Sequence, residues 1–174
     1  MAKIGFTKLG LKQNNDIKTI SFNNQNIEIK QYLPVEEKLE LIANVLQLSH
    51  DSNNFSNPVK VSVYTALEII EKYTNINFTE KQKENPTKLY DLAIGNGLVS
   101  EIINNIPEAE YNEILKGIQD TIESVYKYQN SILGLLDSIK TDYSDLNIDV
   151  DALKDKMGNM ENLDLLKDIM EKLG

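Results

Sequence analysis

The stretch from Pro107 to Lys140 constrains the fold more than any other part of the chain. It reads PEAEYNEILKGIQDTIESVYKYQNSILGLLDSIK, with no internal proline. Tyr111, Leu115, Ile118, Ile122, Val125, Gln129, Ile132, Leu136 and Ile139 recur at alternating steps of four and three. That spacing is a helical seam of about 3.5-residue period, polar only at Gln129. As one helix the stretch would run about 50 Å at about 1.5 Å per residue, the length of a small domain. Two arrangements satisfy such a seam. It is either a core helix wrapped by shorter neighbours or an intermolecular coiled coil, which needs about three or four heptads with charged flanks.

The remainder of the chain supplies those neighbours. Residues 1–16 have little periodicity and end in the polar cluster Gln13-Asn14-Asn15-Asp16. They read as an arm, ordered only where something receives Ile4, Phe6, Leu9 and Leu11. Ile17–Phe22 and Ile27–Tyr32 flank Asn23-Asn24-Gln25-Asn26, and apolar residues alternate with polar ones in the second run. The pattern predicts a β-hairpin over about 17–32, with one apolar face that needs a helical layer or another chain to cover it.

Pro34 opens a predicted helix to about Leu48, with Val35, Leu39, Ile42 and Leu46 as its apolar stripe. Pro58 opens a second, striped by Val59, Val63, Leu67 and Ile70 with Tyr73 nearby. The alternating Val59–Tyr64 admits a strand, but the stripe continues to Tyr73 and favours helix. Thr79 and Gln82 form a capping box. A helix from Pro86 ends at Gly95-Asn96-Gly97, and a short one covers Leu98 to Ile106. Gly117 and Gly134 lie off the long seam. Each costs up to about 1 kcal/mol relative to alanine in a helix, which predicts a close-packed neighbour there. Beyond the polar break Thr141–Asn147, Asp149–Met157 and Glu161–Leu173 read as two short helices.

The fold class is therefore mainly α: a helical bundle around one long helix, with an N-terminal β-hairpin. Three segments are expected: the arm (1–16), a core domain (17–141) and an acidic C-terminal helical segment (142–174). In the last, Leu163, Leu166, Ile169, Met170 and Leu173 form a stripe that needs an apolar partner and is the candidate partner-binding surface.

Composition narrows the function. At 174 residues the chain suits one domain with a small appendage. With no Cys it has no disulfide framework, thiol catalysis or cysteine-ligated metal. No apolar run reaches the about 18 residues of a spanning helix, and no signal-peptide core opens the chain, so a cytoplasmic product is expected and no membrane partner. All 18 basic residues are Lys and the net charge is −9, which removes the bidentate guanidinium fork and argues against nucleic acid as a partner. Charge is uneven: residues 1–33 carry five Lys against Asp16 and Glu28, while 142–174 carry nine acids against four Lys. Such asymmetry can orient head-to-tail association, so a homo-oligomer stays open.

No chemistry-bearing motif is complete. Asp145, Asn147 and Asp149 have the spacing of a calcium loop, but Val150 stands where glycine is needed and Lys156 where a bidentate glutamate is needed. Gly95-Asn96-Gly97 lacks the rest of a phosphate loop. His50, the lone histidine, reads as a solvent-exposed loop residue with no second ligand. Glu36/Glu37, Glu108/Glu110 and Asp149/Asp151 sit where acids complement helix N-termini. No catalytic, cofactor-binding or metal residue is assigned, and a non-enzymatic protein is expected.

Three blocks together carry a resemblance. KTISFNNQNIEIKQYLPVEEKLELIANV (Lys18–Val45) joins the hairpin to the proline-initiated helix. FSNPVKVSVYTALEIIEKYTNINFTEKQ (Phe55–Gln82) follows, and the chain closes on ENLDLLKDIMEKLG (Glu161–Gly174). This resembles small virion-assembly proteins of tailed phages and prophages of low-GC Gram-positive hosts, most like the tail assembly chaperone type. The resemblance is one of architecture and transfers no individual functional residue. It implies binding to the tape-measure protein and to tail-tube subunits in the bacterial cytoplasm. A neck or head–tail component, retained in the virion, is the neighbouring possibility. A host helical regulatory module has the same composition.

Overall fold

The structure, a computed structural model, describes residues 3–51, 55–129, 131 and 134. It is mainly helical, with an antiparallel two-stranded hairpin near the N-terminus. The chain forms two compact units, Met1–Ile122 and Glu123–Gly174. The boundary expected at 141–142 and the extension of the long helix to residue 140 lie outside the described residues.

The hairpin comprises β1 (Ile17–Phe22) and β2 (Gln25–Lys30), paired from Ile17–Lys30 to Phe22–Gln25. Its loop is two residues, not the four expected. Asn23 and Asn24 take φ of 48° and 63°, the left-handed pair that a tight turn requires and that asparagine tolerates. This tight turn adds Gln25 and Asn26 to the second strand. Ile27 and Ile29 are buried, with Ile20 and Phe22 packed beside them, so the helices cover the apolar face.

Helix α1 (Val35–Ser49) starts directly after Pro34, with Glu36 and Glu37 in its first turn. Helix α2 (Pro58–Tyr73) is capped by the Asn57 side chain, which accepts from the amides of Val59 and Lys60 at 2.9 and 3.2 Å. The alternating Val59–Tyr64 is thus helical. The Thr79–Gln82 capping box is formed and starts α3 (Glu80–Lys83). After α4 (Pro86–Gly95), Gly97 at φ 77° reverses the chain into α5 (Leu98–Ile103). The longest element is α6 (Glu108–Gln129).

Helices α1 and α2 pack closely on each other. Their buried faces differ from the expected stripes. On α1, Lys38, Leu41, Val45, Leu46 and Ser49 are inside, whereas Val35 and Leu39 are 60% and 62% exposed. On α2, Val59 is 72% exposed, and Ala66 and Ile69 join the core. On α6 the buried line is Glu110, Ile114 and Ile118; Tyr111 and Ile122 are half-buried, and Leu115 is 38% exposed. The expected seam was therefore one residue out of phase at its N-terminal half. Phase follows from what α6 packs on, and a polar residue inside, Glu110, conceals it from a pattern of apolar residues.

Candidate functional site

Lys38 holds the same phase on α1 as Leu41 and Val45, so folding carries an ammonium into the interior, where it is 6% exposed. An unpaired buried charge is costly. Glu110, 7% exposed in the first turn of α6, answers it at 3.0 Å. Glu113, one turn on, accepts from the same ammonium at 2.7 Å. The Tyr32 ring lies beneath it, 4.7 Å from the nitrogen to the ring centroid.

Glu110 has two further donors. The Leu33 amide reaches Oε1 at 2.8 Å and the Tyr73 hydroxyl reaches the same oxygen at 3.1 Å. One carboxylate thus joins the end of the hairpin, α1, α2 and α6. Burial and the two carboxylates act oppositely on Lys38: desolvation lowers its pKa, but the bonds from Glu113 and Glu110 outweigh it, and the net shift is upward. Burial pushes the Tyr73 phenol far above its ordinary range, and the negative charge of Glu110 pushes it the same way.

The inner part of this cluster is closed: Lys38, Glu110 and Tyr73 are buried and joined through Glu110, while the Glu113 side chain is 63% exposed. Its chemistry is that of a core staple holding four segments in register. From sequence alone Glu110 is expected only to complement a helix N-terminus, and Lys38 stands out in no pattern. The missed signal was a lysine spaced three and seven residues before Leu41 and Val45, which demands an interior carboxylate.

The other reactive candidates are placed plainly. His50 is half-buried rather than a freely exposed loop residue: it caps α1, and its backbone bridges to Ser56. Among the described residues no group of three histidines or acids is positioned to hold a metal. None of their helices is long and apolar enough to cross a membrane. The stripe Leu163, Leu166, Ile169, Met170 and Leu173, and the Asp145–Lys156 segment, lie outside the described residues.

The surface offers a different candidate. The arm carries a single 3₁₀ turn, Phe6–Leu9, and buries no residue of it. Ile4, Phe6, Leu9 and Leu11 are exposed by 73%, 75%, 54% and 67%. Between the arm and the start of α1 lies an open cleft of about 630 Å³, bordered by Lys12, Gln13, Asn14, Tyr32 and Val35. No family model matches the chain, and no curated protein or solved structure is detectably similar to it.

Proposed function

We propose that this protein is a non-enzymatic interaction factor in virion assembly, of the tail assembly chaperone type, whose partner is a tape-measure protein in the bacterial cytoplasm. The observation that carries the reading is the arm. Four large apolar side chains within eight residues stand in solvent on a chain whose net charge is −9. Exposed apolar side chains on a charged, soluble body are what a holder of an aggregation-prone helical partner needs. The resemblance of the Lys18–Val45 and Phe55–Gln82 blocks supplies the phage context.

Co-expression of the full chain with the tape-measure protein of the same assembly module tests this. The pair should co-purify, and the tape-measure protein should stay soluble. A Phe6→Ser, Leu9→Ser, Leu11→Ser variant should lose the partner while keeping its melting temperature, because these side chains are exposed and lie outside the buried core. A tape-measure protein that is equally soluble and unbound in the presence of the wild-type chain would overturn the reading.

A further inference from the structure

We propose that the outer edge of β1 is a docking site for an extended, acidic strand of a partner protein. The Gln31 amide bonds the Asp16 carbonyl at 2.9 Å, which makes Asp16–Gln31 a hydrogen-bonded pair of the antiparallel ladder. Alternation then makes Lys18–Ile29 and Ile20–Ile27 the next bonded pairs. The main-chain N–H and C=O groups of Ile17, Thr19 and Ser21 are thereby directed away from β2. Among the described residues they have no partner.

The two edges of the hairpin are treated differently. On the β2 side, the Asn75 carboxamide accepts from the Glu28 amide at 3.1 Å and donates to the Asn26 carbonyl at 3.4 Å. Thr74 bridges to Ile29 beside it. That edge is closed by the end of α2. The β1 edge has no proline and no positive-φ residue, and its side chains Ile17, Lys18, Thr19 and Ser21 are all exposed. A regular edge with free main-chain groups at every second residue is a template for one more strand.

Charge selects the occupant. Lys3, Lys8, Lys12 and Lys18 have no carboxylate within ion-pair distance among the described residues, and the acids of residues 1–33 are Asp16 and Glu28 alone. A second copy laid β1 against β1 would bring two such basic ends together, which like-charge repulsion opposes. An acidic strand with apolar residues at alternate positions meets the lysines and extends the cover over half-buried Ile20 and Phe22.

The experiment follows amide hydrogen exchange of the full chain by NMR, with and without an end-blocked peptide of alternating valine and glutamate. In the free protein Ile17, Thr19 and Ser21 should exchange fast, whereas Lys18 and Ile20 are protected. The acidic peptide should slow all three by at least about tenfold, and a valine–lysine peptide should not. Thr19→Pro removes an outward donor without breaking the internal ladder, and should abolish the effect. Lys12→Glu with Lys18→Glu, a surface change that leaves the ladder intact, should weaken peptide binding by at least about fivefold at low salt. The proposal is overturned if the three amides are already protected in the free monomer, so that the chain covers its own edge. It is equally overturned by protection that disappears on dilution, which would mark a second copy, or by peptide binding indifferent to both variants.

Discussion

The Cδ1 atom of Ile42 on α1 stands 2.6 Å from the place a Cβ on residue 117 of α6 would occupy. Glycine at 117 is what lets the two helices meet there, and it explains why a helix otherwise rich in good formers carries one. Alanine would gain about 1 kcal/mol in helix propensity, and forcing Ile42 off its rotamer would cost a similar amount. Gly117→Ala alone should therefore leave stability within about 0.5 kcal/mol of wild type. In an Ile42→Val background, which deletes Cδ1, the same change should stabilise by about 1 kcal/mol. Denaturant midpoints of the four proteins check this; an additive cycle would mean that the contact is absent.

Glu110 joins Leu33, Lys38 and Tyr73, so its removal strands a buried amide and a phenol and leaves the Lys38 ammonium with the exposed Glu113 alone. Glu110→Ala should cost about 3–5 kcal/mol, the range for breaking one side of a buried pair. Replacing both charges while keeping the acceptor oxygen for Leu33 and Tyr73, Lys38→Met with Glu110→Gln, should recover most of that loss. Urea unfolding decides it, and a loss under about 1 kcal/mol for Glu110→Ala would show the cluster to be solvated.

The same cluster sets an alkaline limit. Lys38 and Tyr73 both have folded-state pKa values raised above 10.5 and 10.0, their ordinary values. The folded chain holds these protons more tightly than the unfolded one, so their contribution is intact below about pH 10 and is lost as pH rises beyond it. Stability should fall progressively from about pH 10 upward, and Tyr73→Phe should flatten that fall. Phenolate absorbance gives an independent reading: one tyrosine should ionise only as the protein unfolds.

The phase of α6 separates two neighbouring residues. Ile114 is 1% exposed and Leu115 38%. Ile114→Ala should cost about 2–5 kcal/mol as a core truncation, and Leu115→Ala about 1 kcal/mol or less. Thermal or urea unfolding distinguishes them, and the reverse order would restore the seam through Leu115.

What the amino-acid sequence determined by itself is local. The Asn57 cap with Pro58 behind it, the Thr79–Gln82 box and the Asn-Asn turn each act within a few residues. Their side chains therefore serve the same backbone groups whatever surrounds them. Periodicity likewise separated the strand of β2 from the helix of α6, because the two repeats differ. The tertiary structure decided which side of each helix faces inward. Val35, Leu39 and Val59 look like core residues on a helical projection, but they are exposed because Lys38, Ala66 and Ile69 hold the inward positions. The interior place of Lys38 is tolerable only because Glu110 arrives from 72 residues further along the chain. Closure of one hairpin edge by Asn75, 47 residues from Glu28, is of the same kind. Such pairings depend on distances that folding alone creates, so no window of sequence short enough to show a pattern contains them.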